Sequence, residues 1–267
     1  MNQSFGLRFY DLKIDIVTDR PDLVVGLLER LPGCWQRCQP GAKRRFYLFQ
    51  SEHGVSLARG KKSLESDVSD AFAVVRLERD LEILAALRNS EVVFVHAGAV
   101  GWNGKVILIP GRSYSGKSTL TAALCEAGAT YYSDEYALID VQGRVHPYPR
   151  PWQLRHENVK RFPVSPTRVA TVPAPVGVVL RTRYREGERW QPRKLSLGES
   201  ILTVLANTLP ARDRPREVLA TLSTALDTAI GFQSYRGDAL ETAQAILDLV
   251  SSHGQGESPS EVPATMT

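Results

Sequence analysis

The junction KVILIPGRSYSGKSTL, residues 105–120, constrains this chain more than any other stretch. An apolar, β-branched run ends at Pro110, a glycine-rich turn follows, and a helix-forming run starts near Lys117. The turn reads Gly111, four residues, Gly116, Lys117, Ser118, which is the G-x-x-x-x-G-K-[ST] spacing of a phosphate-binding loop. Its glycines let the backbone curl until several N–H groups face one point, and the amino end of the next helix adds positive potential there. A turn of this kind needs a strand before it and a helix after it, so it commits the chain to an α/β fold.

The passage upstream narrows the fold further. VVFVHAGAV and KVILIP flank Asn103-Gly104, a strong short-range hairpin signal. The strand feeding the loop is therefore expected to run antiparallel to the strand before it. That predicts a mixed sheet rather than the parallel sheet of the doubly wound nucleotide folds.

Closer to the N-terminus, residues 5–17 alternate and read as one strand. Asp19, as N-cap, and Pro21 open a helix over DLVVGLLERL. RRFYLFQ and GVSLARG read as strands joined at His53-Gly54, and a second helix is expected near residues 67–89. After the loop come the helix STLTAALCEAG with Gly128 as its C-terminal cap, the strands ATYYSD and EYALID, and a turn at Gln142-Gly143. The basic, Pro-rich segment VHPYPRPWQLRHENVKRFPVSPTRV reads as an ordered loop with short helical pieces. The remainder reads as strand PVGVVLRTRYREG, helices GESILTVLANTLP and EVLATLSTALDTA, strand GFQSYRG, and helix DALETAQAILDLV capped by Asp238. The expected organisation is a small N-terminal α/β lobe over residues 1–75, a catalytic domain over 76–250, and a disordered polar tail over 251–267.

Composition removes several function classes. No apolar run approaches the ~18 residues of a membrane helix, so no membrane partner is expected. The N-terminus lacks a basic segment followed by an apolar one, and Cys34, Cys38 and Cys125 make no disulfide framework; a reducing cytoplasm is the expected location. A net charge of +4 suits anionic ligands, but no aromatic-basic signature accompanies it, so nucleic acid is not an expected partner. Cys34 and Cys38 lack the second ligand pair of a zinc site.

The chemistry is expected around the loop. Gly111, Ser113, Ser115, Gly116, Lys117, Ser118 and Thr119 are the candidate ligands of ATP, with Lys117 reaching the β and γ phosphates and Ser118 offering its hydroxyl to Mg²⁺. Asp134 and Glu135, at the end of the strand after the loop helix, are the candidate base and second metal anchor. His96 interrupts an apolar strand beside the loop strand, within expected reach of Asp134. Arg150, Arg155 and Lys160 are weighed as a phosphate or peptide clamp against a solvated basic face. Arg181, Arg183 and Arg185 share one strand face and read as facing solvent.

From His96 to Asp140 the sequence resembles the catalytic domain of the HPr kinase/phosphorylase family. The resemblance is carried by "VHAGAV", "GKVILIPGRSYSGKST" and "EAGATYYSDE" in that order, and extends more loosely through "PYPRPWQL" and "YRGDALETAQAILDLV" to stand-alone relatives of that family. It implies a mixed-sheet phosphate-loop core of the phosphoenolpyruvate carboxykinase type. It makes Asp134 the acid/base toward the acceptor hydroxyl, His96 the partner of the acidic pair, and Lys117 part of the catalytic set. Glu135 stands where the family has a second Asp. The expected function is an ATP-dependent serine kinase acting on a peptide or protein, with a small-molecule kinase or a non-transferring nucleotide sensor as alternatives. A homo-oligomer is compatible with the resemblance.

Overall fold

In this computed structural model the described residues are 2–113, 115–150 and 168–254. They build a mixed α/β structure with two sheets. The first has the order β3-β1-β2-β4-β5-β6, from β1 (Gln3–Phe9), β2 (Leu12–Thr18), β3 (Trp35–Cys38), β4 (Arg45–Gln50), β5 (Val55–Arg59) and β6 (Lys62–Val68). Residues 5–17, expected as one strand, belong to a hairpin in which β1 and β2 pair antiparallel around Tyr10, whose φ is 49°. A tyrosine seldom adopts that left-handed conformation, so no glycine or Asn-Gly pair announced the turn. Helix α1 (Pro21–Arg30) starts on its proline. Asp19 is not its cap; its carboxylate accepts the Gln50 backbone N–H at 2.9 Å instead.

Helix α2 (Asp70–Arg88) is capped by the Ser69 side chain, which accepts from the Phe72 N–H. It straddles residue 75 and packs Leu77 and Leu81 into the core of the first sheet, against Leu7, Phe9, Ile14 and Phe46. That core continues into Val92, Phe94, Leu138 and Tyr148 of the second sheet. Each large apolar side chain buried in this way contributes roughly 1.5–3 kcal/mol.

The second sheet has the order β11-β10-β7-β8-β12-β14-β13, with β9 also paired to β7. Its strands are β7 (Val92–Trp102), β8 (Lys105–Pro110), β9 (Thr130–Ser133), β10 (Tyr136–Asp140), β11 (Arg144–His146), β12 (Ala174–Tyr184), β13 (Arg193–Leu195) and β14 (Ile230–Arg236). β7 and β8 form the expected hairpin, turning through Asn103 (φ 49°) and Gly104 (φ 74°), both left-handed as a tight hairpin turn requires. β8 then pairs parallel with β12, so the sheet is mixed.

Helices α3 (Lys117–Glu126) and α6 (Ala239–Gly254) supply the core on one face, α4 (Leu197–Leu205) and α5 (Pro215–Leu226) that on the other. α4 stops at Leu205, short of the expected Pro210, and a single 3-10 turn follows at Leu209–Ala211. Asp238 does cap α6, accepting from the N–H groups of Leu240 and Glu241. α6 carries residues 251–254, which the sequence assigned to the tail; residues 255–267 lie outside the described residues, as do 151–167 with Arg155 and Lys160. Among the described residues no helix is long and apolar enough to cross a membrane.

Alternation along β7 places the site. Val93, Val95, Ala97 and Ala99 face the α4–α5 core. On the opposite face Phe94 joins the core of the first sheet and Val100 joins the α3–α6 core. His96 lies between them on that face, where the two cores meet. Gly98 lets α3 approach the strand: a Cβ there would stand 2.3 Å from Thr121 Oγ1.

Candidate functional site

β8 ends at Pro110, and the glycine-rich segment carries the chain into α3, whose first residue is Lys117. Gly116 precedes it at φ 86°, a left-handed conformation that glycine takes without steric cost. A Cβ on Gly111 would stand 2.8 Å from Ser115 Oγ, a buried hydroxyl with no hydrogen-bond partner among the described residues. Lys117 is only 7% exposed, and its Nζ donates to the Arg112 carbonyl at 3.1 Å, folded back over its own loop. Ser113 is exposed on the loop, while Ser118 and Thr119 are half-buried in the first turn of α3.

The acidic pair is the link between β9 and β10. Ser133 Oγ accepts the backbone N–H groups of Glu135 (3.4 Å) and Tyr136 (3.2 Å), so the chain bends there and the two acids do not simply alternate across a sheet. His96 is tied to both neighbours through the backbone. Its carbonyl accepts the Gly111 N–H at 3.3 Å, the Ala97 N–H donates to the Glu135 carbonyl at 3.2 Å, and Tyr136 stands opposite His96 in the register of β7 and β10. The loop, the imidazole and the acids thus converge as the hairpin implied.

The pairing within that group differs from expectation. His96 was expected to reach Asp134, but its Nε2 lies 3.6 Å from Glu135 Oε1. Asp134 instead accepts a hydrogen bond from the Tyr131 hydroxyl at 2.8 Å. Tyr131 is buried in the strand before the bend, and the bend sends successive side chains to different partners.

Electrostatics follow from burial. Burial, reinforced by the Lys117 charge, pushes His96 down to about 4, so its imidazole is neutral at pH 7. Burial also raises Asp134, with the Tyr131 hydrogen bond opposing and the Glu135 charge adding to the rise. Lys117 is lowered by burial, and the charges of Glu135 and then Asp134 work against that shift. Because His96 titrates below its ordinary 6.5 in the fold, the neutral form stabilises the native state. That contribution is complete above pH 6.5 and is lost as the pH falls toward 4. In His96→Gln the acid-side loss of urea resistance between those values should be shallower than in the wild type; an identical pH slope would assign it to another group.

Arg150, weighed as a clamp, is committed elsewhere. It is half-buried against the α2 acids, donating to Glu82 at 3.3 Å and to Glu78. Glu78 also pairs with Arg30 at 2.9 Å, and Glu82 accepts from the Tyr148 hydroxyl at 3.0 Å. Burial pushes Glu82 up to about 7 even beside Arg150. This network joins α2 to the strand region bearing the acids, and the fields of Glu82 and Arg150 both reach Tyr136. Arg181, Arg183 and Arg185 are exposed, as expected.

Sequence reasoning missed Arg236. It closes β14 and is 2% exposed, and its Nη2 donates to the Gly116 carbonyl at 2.8 Å. A strand-terminal arginine in GFQSYRG was the available signal, but nothing local connects it to a loop 120 residues away.

No family model and no curated protein matches the chain. Among solved structures, the Hpr(Ser) kinase/phosphatase from Coxiella burnetii aligns over 61% of this chain and 96% of its own, at 15% identity and a TM-score of 0.32. A likeness that low carries no weight for the site, which stands on its own geometry.

Proposed function

We propose that this protein is an ATP-dependent kinase that transfers a phosphoryl group to a serine hydroxyl of a peptide or protein. The supporting observation is the convergence at one loop of a buried lysine, two acids and a neutral imidazole, with His96 bridging the loop backbone and Glu135. A sensor needs the loop; it does not need a desolvated carboxylate beside it.

The residues present fit a nucleoside triphosphate. Gly116 is left-handed, Ser115 offers a hydroxyl with no partner among the described residues, and Lys117 holds a buried charge at the start of α3. Ser118 and Glu135 would hold Mg²⁺. Among the described residues no group of three or more His, Cys, Asp or Glu could hold a metal. Mg²⁺ on a phosphate loop takes most of its ligands from water and phosphate, so two protein oxygens suffice. Bound MgATP supplies the transferable phosphoryl group. Lys117 counters the charge that develops on it, and Asp134 accepts the proton of the acceptor hydroxyl. Its raised proton affinity suits that task. Neutral His96 stands beside Glu135, with its Nε2 3.6 Å from Oε1, without adding a cation. Residues 76–250 carry this chemistry, and the first lobe buttresses it through the ion pair of Arg30 with Glu78.

Glu135→Gln tests the metal role. The Mg²⁺ concentration for half-maximal transfer should rise while nucleotide affinity changes less. His96→Ala should shift the same midpoint, and the double variant should be little worse than Glu135→Gln, because contacting residues act as a unit. An unmoved Mg²⁺ midpoint in Glu135→Gln would leave that acid with a packing role only.

A further inference from the structure

A guanidinium with no carboxylate partner among the described residues is buried beside the candidate phosphate loop. Arg236 lies opposite Tyr184 in the register of β14 and β12, with its carbonyl accepting the Arg185 N–H at 2.9 Å. Its Nη2 donates to Gly116 O at 2.8 Å and its Nη1 to Gly237 O at 3.1 Å. The Nε is buried with no partner among the described residues. The group stands 5.6 Å from the centre of the Tyr184 ring. Burial lowers its proton affinity, and the fields of Tyr184 and then Asp238 offset this only in part. Among the described residues no acid forms an ion pair with it.

Burying a charge without a counter-charge is unfavourable, and an apolar side chain could fill the same volume. The geometry indicates what the charge does. The Gly116 carbonyl already accepts the Leu120 N–H at 3.1 Å, the first bond of α3. Arg236 makes a second contact to it. In a trans peptide the carbonyl and the next N–H point in opposite directions, so fixing Gly116 O aims the Lys117 N–H out of the helix and into the loop. A side chain at Gly116 would collide with this contact, since its Cβ would stand 2.4 Å from Nη2.

We infer that Arg236 is the positioning residue of the loop, and that the counter-charge it lacks arrives with a polyphosphate bound on the other side of the Gly116–Lys117 peptide. This deepens the kinase reading and rests on it. The free chain carries an uncompensated cation, and the ligand relieves it.

The test uses the full chain, MgATP and inorganic tripolyphosphate as probes, titration calorimetry, thermal midpoints, and steady-state rates. Arg236→Met keeps the bulk and removes charge and donors. It should fold with a ligand-free midpoint near or above that of the wild type, yet bind both probes roughly 10–100-fold more weakly, the scale of a charged hydrogen bond. KM for ATP should rise more than kcat falls, and Arg236→Lys should recover part of the affinity. A merely structural arginine would instead lower the ligand-free midpoint and leave the affinity of the folded fraction unchanged. If Arg236→Met does not fold, Arg236→Lys and Arg236→Gln are compared: tenfold tighter binding by the lysine variant upholds the inference, equal binding overturns it. If the wild type binds both probes and Arg236→Met binds them as tightly, this inference alone fails. If the wild type binds neither, the phosphate-loop reading falls and takes the inference with it.

Discussion

Replacing Asp134 with Asn should leave MgATP affinity nearly unchanged while phosphoryl transfer falls ~10²–10⁴-fold, the usual contribution of a positioned general base. The amide keeps the shape, and its carbonyl can still accept from the Tyr131 hydroxyl, which donates to Asp134 at 2.8 Å. The variant should not be less stable. Burial disfavours the Asp134 charge, so a neutral isostere removes a desolvation cost. The pH profile supplies a second check. A base must be ionised, so transfer by the wild type should fall as the pH drops through the raised value of Asp134, and the residual activity of Asp134→Asn should lack that acid limb. A loss of MgATP binding in this variant would make Asp134 a ligand of the nucleotide or metal.

Lys117→Ala should show the complementary pattern, with MgATP affinity falling ~100-fold or more and turnover disappearing with it, since the phosphates lose a desolvated cation. The free protein should be at least as stable as the wild type. Lys117 is lowered by burial, so below its ordinary value the fold bears the cost of holding it charged. Nucleotide affinity in calorimetry and a ligand-free melting midpoint together check this. Unchanged affinity would remove the loop from the account.

The parts of the site legible in the sequence are those fixed by local chemistry. Gly111, Gly116, Lys117 and Ser118 sit in the expected strand–turn–helix, and Asn103-Gly104 folds β7 onto β8, which carries His96 to the loop. Contacts chosen by a local bend or by distant residues were not legible. Whether His96 meets Asp134 or Glu135 depends on the bend held by Ser133 and on Tyr131 claiming Asp134. Arg150 finds Glu82 and Glu78 from 68 and 72 residues away, so nothing near it in sequence marks it as paired. In the fold, β6 (Lys62–Val68) escaped notice because KSLESDV, an edge strand without buried positions, has no apolar alternation to betray it. The β1–β2 turn was hidden because Tyr10 holds a conformation that its chemistry does not favour.

The decisive measurement is transfer of labelled γ-phosphate from MgATP to a panel of serine-containing peptides and proteins, with the modified atom located by mass spectrometry, for the wild type and Asp134→Asn side by side. Label is expected on a serine oxygen with the wild type, at a rate reduced ~10²–10⁴-fold in the variant while both bind MgATP alike. Transfer that Asp134→Asn leaves untouched, or a wild type that binds MgATP and labels no hydroxyl, would contradict it.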